Sequence, residues 1–230
     1  MNQLTHLKEQ TRAWIFVNGD LRHPQAVAAL LAEDDFLIAA DGGARHLLAM
    51  ERFPDLLIGD LDSLTPSEVA YMQANGSQIE RLPTDKDWTD LELALEAALQ
   101  RGFHHIRLAG ALGGRIDHTL GNLFLLTHPK AAAVDVCLED GSEELLLVTG
   151  EITLQGQPGD RVSLVPLDET VRGVSTHNLQ WPLKDETLYR RATRGISNLM
   201  TAPTAKISAR TGALLCIHTR KEFLNDEENH

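Results

Sequence analysis

Acidic residues follow four apolar, strand-like segments of this 230-residue chain, at the points where those segments end. The clearest case is segment 56–58, which runs through Gly59 into Asp60 and Asp62. On an extended segment, side chains two residues apart point to the same face, so we expect these two carboxylates to lie side by side. In a parallel sheet, ligands bind just beyond the carboxyl ends of the strands.

The same arrangement recurs at three other strand ends, which lead into Asp41, into an acid-rich stretch ending at Asp90, and into a glycine-rich stretch ending at Asp117. Two carboxylates about 5 Å apart repel by about 3 kcal/mol at an effective dielectric constant of 20, so a cluster of them requires a counter-cation. Oxygen ligands without cysteine suit Mg²⁺ and, through it, a polyphosphate. The sequence therefore predicts a magnesium site at one edge of a parallel sheet.

Other interpretations stay open for the individual acids. A single aspartate after a strand is more often a turn residue than a ligand, and it is the repetition at four strand ends that favours a metal site. Asp90 is predicted to begin a helix, where a carboxylate is stabilised by the helix dipole without any metal. Asp85 and Asp87 are equally well explained as loop acids.

Strand and helix patterns alternate through the first half of the chain. The predicted strands are 14–17, 36–40, 56–58, 78–82, 106–109 and 134–138, and the predicted helices are 24–32, 44–50, 66–75, 89–101 and 118–127. Thr89 and Glu92 have the spacing of a capping box, which places a helix start near Thr89. This alternation predicts a Rossmann-like parallel sheet with helices on both faces.

The pattern changes after about residue 140 to short strands without helical periodicity. The candidates are 144–148, 151–154, 161–165, 187–189, 206–209 and 214–218. Turn signals separate them, among them Arg172-Gly173 and Arg194-Gly195, and Ser197 and Asn198 also have turn composition. The second half is therefore predicted to be a small all-β sandwich or barrel.

We accordingly predict an α/β domain over 1–142, a β-sandwich domain over 143–222 and a frayed acidic tail over 223–230. The formal net charge of −12 argues against nucleic acid or an anionic membrane surface as a partner. The two cysteines lie in separate apolar runs and are expected to be buried thiols in a reducing compartment. We see neither a signal peptide nor an apolar run near the roughly 18 residues of a membrane span, and expect a cytoplasmic protein.

The glycine-rich stretch 110–115 lies between a predicted strand and a predicted helix, where backbone N–H groups can cradle a phosphate. This stretch is neither a Walker A loop nor a G-x-G-x-x-G motif. The adjacent Arg115 and Asp117 strengthen its interpretation as a phosphate-binding loop. Lys86 is a phosphate ligand or a solvated lysine, and spacing does not decide between them. Trp181 is either core or an aromatic plate for a flat or cationic ligand.

Taken together and in order, five segments resemble the thiamine pyrophosphokinase family. They are Ala40-Asp-Gly-Gly-Ala44, Pro54-Asp-Leu-Leu-Ile-Gly-Asp-Leu-Asp-Ser63, Thr84-Asp-Lys-Asp-Trp-Thr-Asp90, Gly110-Ala-Leu-Gly-Gly-Arg-Ile-Asp-His118 with Asn122, and Gly195-Ile-Ser-Asn198. The resemblance implies a Rossmann-like catalytic domain followed by a β-sandwich, and a homodimer that holds thiamine between its subunits. It also implies Mg²⁺-dependent conversion of ATP and thiamine to AMP and thiamine diphosphate.

The resemblance also implies roles for individual residues. It places metal ligands at Asp41, Asp60, Asp62 and Asp90, and catalytic residues at Asp60, Asp62, Asp90, Arg115 and Asp117. It places contacts with ATP at Asp41, Gly42, Lys86, Thr89, Gly113, Gly114 and Asn122. It places contacts with thiamine at Trp181, Ser197 and Asn198.

Two rival functions fit parts of the sequence. Asp60-Leu-Asp62 after an apolar strand resembles the nucleophile strand of haloacid-dehalogenase-like phosphatases, which use Mg²⁺. That family normally has Thr or Val two places after the second acid and begins its domain with this strand, whereas here Leu64 fills the place and two predicted strands precede it. The other rival is a nucleotide- or metal-sensing module, which would bind ATP without turnover.

Overall fold

The structure is a computed structural model that describes residues 12–82 and 88–224. The chain divides into two compact units, Met1–Gly141 and Ser142–His230. We predicted domains of 1–142 and 143–222 from the change in pattern, and the roles given to these domains stay predictions. Of the predicted tail, residues 225–230 lie outside the described residues, and residue 223 belongs to a short 3₁₀ turn, Lys221–Phe223.

The first unit is built on a parallel sheet. Its strands are β1 (Arg12–Phe16), β2 (Phe36–Ala40), β3 (Leu56–Gly59), β4 (Gln78–Arg81), β5 (His105–Ala109) and β6 (Asp135–Glu139). They lie in the order β6-β5-β1-β2-β3-β4, and every neighbouring pair is parallel. The chain moves outward from β1 to β4 and then crosses to the other side of β1. The junction of β1 and β5 is therefore the switch point of the sheet, where α/β proteins bind ligands.

Helices connect these strands. They are α1 (Pro24–Leu30), α2 (Ala44–Ala49), α3 (Pro66–Ala74), α4 (Asp90–Gln100), α5 (Ile116–Leu125) and α6 (Pro129–Ala132), and a 3₁₀ turn, Asp41–Gly43, precedes α2. The hydroxyl of Thr89 accepts the Glu92 N–H at 3.2 Å and caps α4, as predicted. None of the described helices is long and apolar enough to cross a membrane.

The central strands of the first unit are buried on both faces, as expected for continuous apolar runs in a parallel sheet. All four residues of β3 are buried, and so are the last four of both β1 and β2. One core cluster joins residues of β1 and β3 to Met72 of α3 and to Leu61, which follows β3. Burial of each such side chain contributes roughly 2 kcal/mol, so this cluster fixes the sheet against α3.

The second unit is all-β, which confirms the predicted change of fold class. Its strands are β7 (Glu143–Val148), β8 (Glu151–Gln155), β9 (Arg161–Pro166), β10 (Thr170–His177), β11 (Glu186–Tyr189), β12 (Asn198–Leu199), β13 (Thr204–Ser208) and β14 (Leu214–Thr219). They form two antiparallel sets in the orders β12-β9-β14-β7 and β11-β10-β13-β8. Alternate residues of β9 are buried, which is the period of a half-buried strand.

Two segments of this unit differ from the sequence prediction. The predicted turn at Arg172-Gly173 lies inside β10, where the pairing register shifts between Val171 and Val174. Gly173 has a φ of +71°, so the glycine marks a β-bulge within a continuing strand. Asn198, predicted as a turn residue, begins β12 and pairs with Val162 of β9.

A histidine of the second unit is buried between two carboxylates. His218 on β14 is 1% exposed. Its Nδ1 lies 3.0 Å from Glu144 Oε1, and its Nε2 lies 2.9 Å from Asp160 Oδ2. Burial alone lowers the pKa of His218, but the two carboxylates outweigh it and raise that pKa above its usual value. Burial raises the pKa of Asp160, and hydrogen bonds from the Gln157 and Lys221 amides and from His218 lower it below its usual value.

This network predicts a pH-dependent stability. Because the folded pKa of His218 is raised, its contribution is complete below the unfolded value of about 6.5 and is lost as pH rises through the folded value. Because the folded pKa of Asp160 is lowered, its contribution is present above about pH 4 and is lost at lower pH. We expect the stability difference between wild type and His218→Gln, measured by urea unfolding, to shrink from about pH 6 to pH 9. His177→Gln, at an exposed position, is the control. If the stability difference between wild type and His218→Gln is the same at all pH values, the pKa of His218 is not the source of the pH dependence.

Candidate active site

A cavity of about 720 Å³ lies in the first unit at the carboxyl edge of the parallel sheet. Its walls come from the segments that follow β1, β2, β3 and β5, and from the first residues of α4 and α5. Asp41, Asp60, Asp62 and Asp90 all line it. The expectation that acids from separate strand ends meet at one sheet edge is therefore confirmed for these four residues, whereas Asp117, the acid predicted to join them after β5, is not among the residues that line the cavity.

Three of these acids form a tight group. Single carboxylate oxygens of Asp41, Asp60 and Asp62 lie within 4.8 Å of one another. Asp41 is 6% exposed, and its buried Oδ1 has no hydrogen-bond partner among the described residues. An unpaired buried oxygen costs about 1–3 kcal/mol, more when charged, unless a cation approaches it. The all-oxygen donor set and this unpaired atom fit a divalent ion such as Mg²⁺.

A turn, and not an extended strand, brings Asp60 and Asp62 together. β3 ends at Gly59, and Leu61 between the two acids has a φ of +64°. The Asp62 N–H points back to Asp60 Oδ1 at 3.3 Å. The expected proximity is observed, but the reason given for it from strand alternation is wrong. Non-glycine residues rarely adopt positive φ except where the surroundings impose it, as at functional sites.

Asp90 is the first residue of α4 and lines the same cavity. A Cβ placed on Gly59 would lie 3.4 Å from Asp90 Oδ1 and 3.4 Å from Asp41 Cβ, so both acids flank the end of β3. Asp90 does not belong to the group of three whose oxygens lie within 4.8 Å. Its role as a fourth ligand stays a prediction.

The glycine-rich loop 110–115 is held by three side chains from other positions. The Asn122 amide donates to Ala111 O at 2.8 Å, and the Thr119 hydroxyl donates to Gly113 O at 3.1 Å. Asp20 Oδ2 accepts the Gly114 N–H at 2.9 Å. The Gly114 N–H thus faces a carboxylate in this structure and not an open anion site. Sequence reasoning missed Asp20, although it follows β1 and obeys the same strand-end pattern as the other acids.

Arg115 and Asp117 form a bidentate ion pair at the start of α5, with N–O distances of 3.1 and 2.6 Å. The hydrogen bond from Arg115 lowers the pKa of Asp117, and the same bond raises the pKa of Arg115. Both side chains are exposed, and Arg115 lines the cavity. Because solvent screens an exposed ion pair, the pair contributes little stability, and the guanidinium can exchange Asp117 for a phosphate oxygen.

The remaining residues predicted to contact ATP fall in different surroundings. Thr89 and Gly113 line the cavity. Gly42 is buried, and a Cβ on it would lie 2.6 Å from the side chain of Asn18, which lines the cavity, so this glycine permits close packing against Asn18. Lys86, like Asp85 and Asp87, lies outside the described residues.

The residues predicted to contact thiamine lie in the second unit. Trp181 is 52% exposed, which excludes the alternative that it belongs to the sandwich core. Ser197 is exposed, has a φ of +60°, and donates its N–H to Ser163 Oγ at 3.0 Å. Asn198 is only 6% exposed, and its side chain hydrogen-bonds to the main chain of Trp181.

The unpaired oxygen of Asp41 leads to a test by metal addition and removal. We expect Mg²⁺ to raise the thermal midpoint of the wild-type chain, because an ion at 100 times its Kd stabilises by about 2.7 kcal/mol. Asp41→Asn keeps the shape of the side chain and removes its charge, so we expect it to respond little to Mg²⁺ while being at least as stable as wild type in EDTA. Equal Mg²⁺-induced shifts for both proteins in differential scanning fluorimetry would argue against Asp41 as a ligand.

Comparison with known proteins identifies the family to which the chain belongs. The model described as "Thiamin pyrophosphokinase, catalytic domain" matches residues 27–138, and the one described as "Thiamin pyrophosphokinase, vitamin B1 binding domain" matches residues 150–214. The chain is 28% identical over 189 residues to thiamine pyrophosphokinase of Bacillus subtilis, which covers 81% of this chain and 88% of the relative. It is 25% identical over 236 residues to thiamine pyrophosphokinase 1 of Oryza sativa, with coverages of 92% and 89%.

Solved structures agree with this assignment. The crystal structure of the Bacillus subtilis thiamine pyrophosphokinase superposes with a TM-score of 0.81 at 25% identity, covering 91% of this chain and 99% of that one. The thiamin pyrophosphokinase of Geobacillus thermodenitrificans gives 0.80 at 28% identity, with coverages of 91% and 97%. The residues matched by the two family models include Asp41, Asp60, Asp62 and Asp90, the glycine-rich loop and the exposed Trp181. The chain therefore belongs to the thiamine pyrophosphokinase family.

Proposed function

We propose that this protein transfers the pyrophosphoryl group of ATP to the primary hydroxyl of thiamine, giving thiamine diphosphate and AMP, with Mg²⁺ as cofactor. The observation that carries the proposal is the meeting of Asp41, Asp60 and Asp62 within 4.8 Å, in the same cavity as a glycine-rich loop and Arg115. Family membership supports ATP and thiamine as the substrates. The donor chemistry of the acid group supports the metal.

Catalysis of this reaction requires the protein mainly to position the two substrates and to neutralise the charge on the phosphate oxygens. The thiamine hydroxyl attacks the β-phosphorus of ATP in line with departure of AMP, through a loose transition state that spreads charge over the phosphate oxygens. A bound Mg²⁺ would neutralise that charge, and Asp41, Asp60 and Asp62 would hold it, with Asp90 beside them. Arg115 adds a planar fork of donors that matches a phosphate. Asp117 is a weak proton acceptor while Arg115 lowers its pKa.

We propose that residues of the second unit bind thiamine. It matches the vitamin B1 binding domain of the family, and it carries Trp181, whose indole is exposed. A thiazolium ring is flat and positively charged, and the face of an indole attracts such a ring. Ser197 lies three residues after Arg194 in a strained conformation that holds its hydroxyl at the surface.

The phosphatase alternative gains no support. The matched models and relatives are thiamine pyrophosphokinases, and none of them points to a haloacid-dehalogenase-like enzyme. Within the described residues β3 is also preceded by β1 and β2 of the same sheet, so Asp60 does not follow the first strand of the domain.

The proposed reaction is tested by its products. Incubation of the protein with Mg²⁺, thiamine and ATP labelled with ¹⁸O on the β- and γ-phosphoryl groups should give AMP and labelled thiamine diphosphate in equal amounts by mass spectrometry. Both phosphoryl groups should arrive together, with no ADP. Formation of ADP with thiamine monophosphate, or of inorganic phosphate without thiamine diphosphate, would overturn the proposal.

We also propose that the chain acts as a homodimer. α5 carries Ile116, Leu120 and Phe124 at four-residue spacing on one face, with exposed fractions of 72, 47 and 55%. None of the ten residues of this helix, all of them described, is buried. An exposed apolar stripe of this kind marks a protein contact. Asn122 of this helix and Arg115, which directly precedes its first residue, both line the cavity, which supports an interface that borders the active site.

Sedimentation velocity tests the dimer. We expect the wild type to sediment as a dimer and Leu120→Glu as a monomer, since a charge at the centre of an apolar contact is not tolerated. Exposed Tyr71→Glu on α3 is the matched control and should leave the dimer intact. A monomeric wild type would refute the proposal. For localisation we propose the cytoplasm, where the buried thiols of Cys137 and Cys216 would stay reduced.

A further inference from the structure

We propose that Asn198 is a positioning residue that clamps the main chain of Trp181 and so presents its indole to the substrate ring. This inference rests on the proposed function, because it takes Trp181 to be the plate against which thiamine stacks. It replaces the expected direct contact between Asn198 and thiamine by an indirect role. The clamp lies wholly within the second unit.

The side chain of Asn198 pairs with Trp181 as a peptide group of a neighbouring strand would. Its Oδ1 accepts the Trp181 N–H at 3.0 Å, and its Nδ2 donates to the Trp181 carbonyl at 2.7 Å. The same Oδ1 accepts the N–H of Leu199 at 3.0 Å. With 6% exposure, the carboxamide is thus committed to main-chain groups and is not free to bind a ligand.

The clamp continues a short ladder of main-chain bonds. Thr201 N–H donates to Asn178 O and Gln180 N–H donates to Leu199 O, both at 2.9 Å. These bonds hold the segment that leads to Trp181 against the segment that follows Asn198. At Trp181 the ladder is made by a side chain, and only a carboxamide of this length offers one donor and one acceptor in the required plane.

The need for a clamp follows from the exposure of the indole. Most residues are held by the burial of their own side chain, but Trp181 is 52% exposed and gains only about half of the stabilisation that a fully buried indole would. Without Asn198 its main chain would have several accessible conformations, and ligand binding would have to select one of them at an entropic cost. Asn198 thus lowers the cost of ordering the plate before thiamine arrives.

The test uses the full chain labelled with 5-fluorotryptophan. The three tryptophans give three ¹⁹F resonances, and Trp181→Phe identifies the one that belongs to Trp181. Asn198→Asp keeps the size of the side chain but replaces the donor to the Trp181 carbonyl by an acceptor. We expect it to broaden or shift the Trp181 resonance, to leave that of buried Trp14 in place, and to raise KM for thiamine about tenfold, with kcat and KM for ATP within about twofold.

Asn178→Asp is the matched control. Asn178 lies in the same segment, is exposed, and donates to Thr204 O without contacting Trp181, so its variant should change neither KM nor the Trp181 resonance. Asn198→Ser, whose hydroxyl is too short to span both main-chain groups, is a second variant should Asn198→Asp fail to fold, as circular dichroism and urea unfolding of the variant would show. An unchanged Trp181 resonance in a folded variant, or an unchanged KM for thiamine where Trp181→Ala raises it, overturns the inference.

Failure of the proposed function would look different. If the wild-type chain forms no thiamine diphosphate, the function fails while the Trp181 resonance of the Asn198 variants still decides whether the clamp exists. If Trp181→Ala leaves KM for thiamine unchanged in an active enzyme, Trp181 is not the plate and the inference falls with it.

Discussion

Asp62→Asn is expected to lower kcat for thiamine-dependent AMP release by at least about 100-fold, the scale of a lost electrostatic contact to transferring phosphates. The substitution keeps the shape of the side chain and removes one of three charges that lie within 4.8 Å of one another. Asp62 is exposed, so its free energy of unfolding should stay within about 0.5 kcal/mol of wild type. Steady-state AMP release and urea unfolding measure the two quantities separately.

Asp34→Asn is the control for this substitution, because it makes the same chemical change at an exposed position outside the cavity. It should leave both kcat and stability at wild-type values. A near wild-type rate for Asp62→Asn would show that the acid group does not hold the catalytic metal.

His218→Leu is expected to lower the free energy of unfolding by about 3–5 kcal/mol at pH 6, the cost of removing one member of a buried charge network. Asp160 would lose the cation 2.9 Å away, and Glu144 the one at 3.0 Å. Leucine is similar in size, so the effect reports charge and not a cavity. Urea unfolding followed by circular dichroism gives the measurement.

Two further substitutions in the His218→Leu variant test whether its loss of stability comes from uncompensated charge or from altered packing. Adding Glu144→Gln and Asp160→Asn removes the two charges that face His218, and replacing a buried ion network by neutral groups is often tolerated. The triple variant should therefore recover most of the lost stability. A triple variant as unstable as His218→Leu would instead assign the loss to packing around β14.

The first unit was largely predictable because its signals are local. Buried parallel strands are continuous apolar runs, and the strands predicted at 36–40 and 106–109 match β2 and β5 within one residue. Acids after strand ends converge in any parallel sheet, so Asp41, Asp60 and Asp62 could be assigned to one site before any coordinates.

What the sequence did not reveal depends on contacts between distant positions. The hydrogen bond from Gly114 to Asp20 joins residues 94 positions apart, and no local sequence pattern predicts such a contact. Gly173 has the composition of a turn, yet β10 continues through it because its partners on β11 and β13 hold both sides of the bulge. Asn198 likewise has turn composition, and its strand has only two residues because β9 pairs with just that much of it.

Leu61 connects the acid group to the interior of the first unit. Its main chain makes the turn between Asp60 and Asp62, while its side chain is 4% exposed and packs in the cluster that contains Met72. If that cluster loosens on warming, the turn between Asp60 and Asp62 would therefore change its conformation before any strand separates from the sheet. Heat should inactivate this enzyme below the temperature at which its circular dichroism is lost, and prompt cooling should restore full turnover.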